Sequence, residues 1–142
     1  RRLYSIIAEN PRKFILRPLI FYWALIFTLT TLPGNVIVNS IKLSDKVEHI
    51  LAYFGLAFLL MFFFRFFKSH YLILKRLFFT LIIAILYAGF DEIHQLVIPK
   101  RQADFLDFIA DTLGAILGIF VAELTIYFGD KNLKHKKNSF EI

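Results

Sequence analysis

With 142 residues the chain has the length of one ordinary domain, read as a single unit over 1–142. It is 58% hydrophobic and only 20% charged, with a mean hydropathy of +0.62, which excludes a soluble domain whose whole surface is wetted. The net charge of +6 sits between apolar segments rather than on a basic face, which points to the phospholipid headgroup layer and away from nucleic acid.

A spanning helix needs about 20 mostly apolar residues. The first predicted span covers about 14–33, with Arg17 placed to snorkel. Arg1 stands where a Met would start, consistent with a trimmed N-terminus, and the first apolar run is too long for a signal peptide and lacks its cleavage site. The second span, about 47–67, is introduced by Asp45 and Glu48, spaced as a capping box. Its run M-F-F-F-R-F-F is expected to face lipid. The third covers about 77–98 and is stopped by Pro99. The fourth, about 105–128, is interrupted by Asp107, Asp111 and Glu123; Asp104 and Asp107 suit its first turn, and Glu123 has a partner within reach in a nearby lysine.

Thirteen of the seventeen Lys and Arg residues lie before the first span or in its opening turn, in the last turn of the second or between it and the third, or after the fourth. The positive-inside rule then puts both termini in the cytoplasm. The expected fold is all-α, a four-helix transmembrane bundle. No cysteine is present, so disulfides and thiolate metal ligands are excluded. The basic tail K-H-K-K-N reads as an orientation signal that binds anionic lipid.

On this topology the unusual polar residues fall at one depth, the outer leaflet. Lys46 and His49 open the second span on one face with Tyr53; Asp91, Glu92, His94 and Gln95 close the third; Arg101, Asp104, Asp107 and Asp111 lead into the fourth. Asp107 and Asp111 share a face with Gly114 and Gly118, a small-xxx-small pattern that aims this face into the bundle. Each intramembrane charge costs a few kcal/mol, about 2.5–3.5 at the bilayer centre, so a partner or a function is expected. His94 reads as an ordinary interfacial histidine, and Asp45, Glu48 and Asp104 as helix-start residues. The rest read as a site, against the plainer alternative of a polar network that only fixes helix register.

The stretches D-K-V-E-H-I-L-A-Y-F-G-L and Y-A-G-F-D-E-I-H-Q-L-V-I-P-K-R-Q-A-D-F-L-D-F-I-A-D-T-L-G-A-I-L-G resemble the VanZ-like family of small bacterial membrane proteins, over about 30–121. The shared pattern is K-x-x-H-x-x-x-Y, then D-E-x-x-Q, then Arg, then D-x-x-x-[ND]-x-x-G. Asn is common where this chain has Asp111, and a typical member has Gly where it has Lys100. The resemblance implies a four-helix protein of the bacterial cytoplasmic membrane, in a family with members linked to glycopeptide resistance of the teicoplanin type.

Two functions from different classes fit these residues. In the first, His49, Asp91 and Glu92 are catalytic, exchanging protons on a lipid or lipid-linked envelope intermediate. Lys46, Tyr53, Gln95, Arg101, Asp107 and Asp111 then bind its headgroup, Arg101 being suited to a phosphate. In the second, the same residues dock a headgroup, a glycopeptide or a protein without chemistry. A proton pathway fits less well, since the polar residues stay in one leaflet. Oxygen ligands from Asp91, Glu92, Asp107 or Asp111, with His49, suit a hard cation, but no spacing is as telling as H-E-x-x-H, so no metal and no cofactor is assigned.

Overall fold

The computed structural model describes residues 2–33 and 45–138, with side chains over 3–33 and 45–133. Helix α1, Arg2–Glu9, precedes a five-residue π-helical turn, Arg12–Leu16, that runs into α2, Arg17–Thr31; then come α3, Asp45–Phe67, α4, Ile73–Gln95, and α5, Phe105–Asn138. Four of these stretches are long and apolar enough to cross a membrane: Arg12–Thr31, Asp45–Phe67, Ile73–Gln95 and Phe105–Leu133. At about 1.5 Å per residue, the 23-residue helices reach about 35 Å, enough for a hydrocarbon core of about 30 Å. Large apolar side chains such as Phe21, Leu86 and Phe120 point outward from them, as a protein solvated by lipid requires and a water-soluble one rarely tolerates. The fold is therefore the expected four-helix membrane bundle, without a strand among the described residues.

The boundaries differ in instructive places. α4 begins at Ile73 and ends at Gln95, so Leu96 to Pro99 lie in turns rather than in the helix. Pro99 thus acts from a distance: the chain has already left the helix when it arrives. α5 continues ten residues beyond its expected end, carrying the basic tail as helix. α1 is an element that the hydropathy reading did not contain, because eight residues are too few to span. The phenylalanines of M-F-F-F-R-F-F do not all face lipid: Phe62 and Phe64 are buried. Phe62 lies beneath α1, edge-on to Tyr4, while Phe64 stacks on Tyr71 of the α3–α4 turn.

α3 and α5 run parallel and form the tightest contact of the bundle. A Cβ added at Gly114 would run into the Ile50 carbonyl, and one at Gly118 into the Phe54 carbonyl. Backbone thus meets backbone, as the small-xxx-small spacing predicts. α2 closes on α3 through Gly55, over which the Tyr22 ring lies, its hydroxyl donating to the carbonyl of Ala52 at 3.2 Å. Around these contacts Leu19, Ile26, Leu56, Leu60, Ala84, Ala88 and Ala115 make one apolar core.

The end away from the α2–α3 connection is tied by charge. The Arg65 guanidinium grips both oxygens of Asp130 at 2.9 Å, and the Tyr4 hydroxyl donates to the same carboxylate at 2.7 Å, so α1, α3 and α5 share one junction. Burial and the neighbouring Asp130 carboxylate both push the Tyr4 phenol upward, which keeps it a donor. Glu123 pairs with Arg76, not with a lysine.

Gly114→Ala and Gly118→Ala are expected to destabilise the bundle by about 1–3 kcal/mol each, since the facing atoms are backbone and cannot rotate away. Gly89→Ala is the control: its Cβ would find only Phe108 at 4.0 Å, so unfolding in detergent should leave it neutral or slightly more stable.

Candidate functional site

At the opposite end, three sequence-distant groups meet. α3 contributes Lys46, His49 and Tyr53; α4 contributes Asp91, Glu92 and Gln95; α5 and the turn before it contribute Arg101, Asp104, Asp107 and Asp111. Their convergence follows from the parallel α3–α5 register, because Ile50 opposite Gly114 puts the preceding turns of both helices side by side.

The outer layer is a paired network. The Lys46 ammonium donates to Asp104 at 2.6 Å and to Asp107, with Asp45 at 3.9 Å. Asp104 is also the N-cap of α5, its Oδ1 accepting from the Leu106 N–H at 2.8 Å, and its own N–H donates to Glu92 Oε2 at 2.7 Å. Asp104 thus does more than start a helix: it joins all three groups. Asp45 lies in the first turn of α3 and also borders the site, while the residues before it fall outside the described ones.

The inner layer is different. His49 Nδ1 lies 2.9 Å from Asp111 Oδ1, and its Nε2 lies 3.8 Å from Asp107. Asp111 is fully buried, as expected from its shared face with the two glycines, and its second oxygen has no hydrogen-bond partner. Asp91 is also 0% exposed, and neither of its oxygens makes a well-formed hydrogen bond, although Thr30 and Gln95 lie beside it. Glu92 Oε1, Gln95 Nε2 and the Tyr53 hydroxyl are buried without a partner too. Five unsatisfied side chains within one cluster is far more than folding requires, since each costs about 1–3 kcal/mol.

A cavity of about 120 Å³ opens between α2 and α3 at this level. Its polar wall carries Asp45, Glu48, His49, Asp91 and Arg101; its apolar wall carries Ile26, Leu29 and Ala52. Arg101 reaches it by capping α2, its guanidinium donating to the carbonyls of Leu29 and Leu32 at 3.3 Å. The preceding Lys100 has φ +61°, in the left-handed region that favours glycine. A larger cavity of about 450 Å³ lies at the other end under α1, lined mostly by apolar side chains together with Tyr4, Thr125 and Asn132.

Nine side chains expected at the site are therefore brought to one end of the bundle, with different jobs. Lys46 is engaged by carboxylates rather than left free for a ligand. His94 is half-buried and stacked between Phe27 and Phe90. Thr30 was not anticipated, and nothing in the apolar α2 sequence singles it out.

The family model described as VanZ/LLP1 matches residues 6–126. No curated protein and no solved structure matches the chain.

Lys100→Gly is expected to leave the fold intact and to raise stability by up to about 1 kcal/mol, read from thermal unfolding. A second expectation concerns acid. The hydrogen bond from Lys46 holds the Asp104 carboxyl below the usual carboxylate range. A folded pKa below the unfolded one, about 3.9, stabilises above that pH and is lost as the pH falls through the folded value. The stability difference between the wild type and Asp104→Asn, which keeps the cap, should therefore shrink below about pH 4. An undiminished difference at lower pH would show that the Lys46 tie is not its source.

Proposed function

This chain belongs to the VanZ/LLP1 family, and from its polar end we propose that it takes the anionic headgroup of a membrane lipid or lipid-linked envelope intermediate and performs acid–base chemistry on it. The observation that carries the reading is the Asp91 carboxylate, buried, unpartnered and facing the same cavity as His49 and Arg101. An acid without a partner costs stability, and its retention beside an imidazole is what proton transfer needs. Arg101 supplies the positive end: its cavity-facing guanidinium is suited to a phosphate oxygen.

The cavity wall supports a lipid as the substrate class. Leu29, on the apolar wall, is exposed on the outer surface of α2, so a headgroup enters sideways past it while its chains stay in hydrocarbon. The volume argues against enclosing an antibiotic, since sites for drug-sized molecules begin at about 300 Å³. A contribution to glycopeptide resistance of the teicoplanin type would then come from a changed envelope precursor rather than from a captured drug. Family membership supports a bacterial cytoplasmic membrane location, and the distribution of Lys and Arg supports both termini inside and this end toward the outer face.

A second reading, a polar network that only fixes helix register, is favoured by the full pairing of Lys46. It leaves Asp91 unexplained, because a register device gains nothing from an unpaired buried acid.

The test uses full-length protein with a polyprenyl phosphate and phosphatidylglycerol as probes, retention being read by native mass spectrometry and turnover by lipid analysis. Arg101→Ala should lower retention at least tenfold, and His49→Asn should form no product. Equal retention by the wild type and Arg101→Ala would remove the headgroup reading; retention without any product would leave a binding module.

A further inference from the structure

We propose that His49, Glu92 and Asp111 hold a divalent first-row transition-metal ion at the inner layer of this site. One ligand atom from each lies within 4.8 Å of the other two, a span that one ion closes with small inward shifts. The 2.9 Å between His49 Nδ1 and Asp111 Oδ1 already matches neighbouring corners of a coordination sphere, since ligand atoms about 2.1 Å from one ion and at right angles lie about 3.0 Å apart. One imidazole with carboxylate oxygens suits Mn²⁺ or Zn²⁺ better than Ca²⁺.

The independent observation is what remains unsatisfied around these three. Glu92 Oε1 and Asp111 Oδ2 have no hydrogen-bond partner, and neither has either oxygen of Asp91, which is fully buried and lines the same cavity as His49. Among the described residues, no Lys or Arg pairs with Asp91, Glu92 or Asp111: Lys46 sits on Asp104 and Asp107, and Arg101 on helix carbonyls. Among the same residues the His49 imidazole, on Asp111, is the one basic group against these acids; three buried carboxylates with so little compensating charge are costly, and a divalent ion supplies the rest at their centre. A second triad, Asp45, His49 and Asp107, also has metal-like spacing, but Lys46 already occupies Asp107 there and would repel an ion.

The inference deepens the headgroup reading and rests on it for its role. Three carboxylates repel an anionic phosphate that Arg101 attracts, whereas a bound cation turns the same acidic cluster into a second phosphate partner.

The experiment takes the full chain in detergent, strips it with EDTA, and titrates Mn²⁺ and Zn²⁺ separately, with bound metal counted by elemental mass spectrometry and Mn²⁺ also followed by electron paramagnetic resonance. The wild type should retain one ion per chain. Glu92→Gln and Asp111→Asn should each weaken it at least about tenfold, as the loss of even an outer-shell partner commonly does. Asp91→Asn, whose carboxylate makes no well-formed hydrogen bond, should also weaken it, while Asp45→Asn should not. No ion on the wild type, equal binding by all variants, or loss in Asp45→Asn alone would overturn the proposal. Repeating lipid retention with and without EDTA separates the two readings. Metal bound without lipid leaves the ion site and removes the headgroup reading; EDTA-insensitive lipid retention by a chain that binds no ion does the reverse.

Discussion

α3 and α5 lie side by side in the same direction, and the offset between facing residues hardly changes along their length. Lys46 meets Asp107, His49 meets Asp111, Ile50 meets Gly114, Phe54 meets Gly118 and Arg65 meets Asp130, separations that all fall between 61 and 65 residues. The glycines make this contact a backbone one, and a backbone contact cannot slide by a residue without a clash. Lipid offers no hydrophobic drive to hold helices together, so such close packing, backed by ion pairs at both ends, carries the fold. Every other element is placed against this pair. α4 brings Glu92 to the Asp104 N–H, and α2 is fixed to α3 by Tyr22 over Gly55 and to the α4–α5 turn by Arg101.

The two ends of the pair use charge differently. At the α1 end, Arg65, Asp130 and Tyr4 satisfy one another, while Arg76 reaches Glu123 through one guanidinium nitrogen and leaves its Nε without a partner. At the other end, satisfaction stops one turn into the bundle. Lys46, Asp104 and Asp107 form a closed outer layer, and beneath it Asp91, Glu92, Gln95, Tyr53 and Asp111 keep polar atoms in reserve. The fold can evidently complete a polar junction, since it does so in the same helix pair at the far end. The open one is therefore best understood as a site whose missing partners come from outside the chain.

Much of this was legible because a membrane makes sequence patterns blunt. Runs such as Leu77 to Phe90 have few alternatives to a spanning helix, and the i, i+3, i+7 spacing of Asp104, Asp107 and Asp111 ahead of Gly114 and Gly118 fixes a face. The convergence of three polar groups followed from topology. What did not follow was pairing. Whether Lys46 is free or engaged depends on distances across helices, and Asp104 looked like a cap because a capping aspartate and a network aspartate have the same sequence. α1 escaped notice since hydropathy reads only length and grease, and the burial of Phe62 and Phe64 depends on that same helix. Thr30 reaches the site only through the placement of α2, which its own residues do not encode.

The central claim is that the inner carboxylates are kept for a ligand at the expense of stability. The most direct measurement is the unfolding stability of metal-free Asp91→Asn against the wild type in the same detergent. Removing a charge that is buried and unpartnered should raise stability, by about 1 kcal/mol or more, while headgroup retention or turnover is lost. A fall in stability of several kcal/mol, of the size seen when one member of a buried pair is removed, would mean that Asp91 has a structural partner and that the account is wrong.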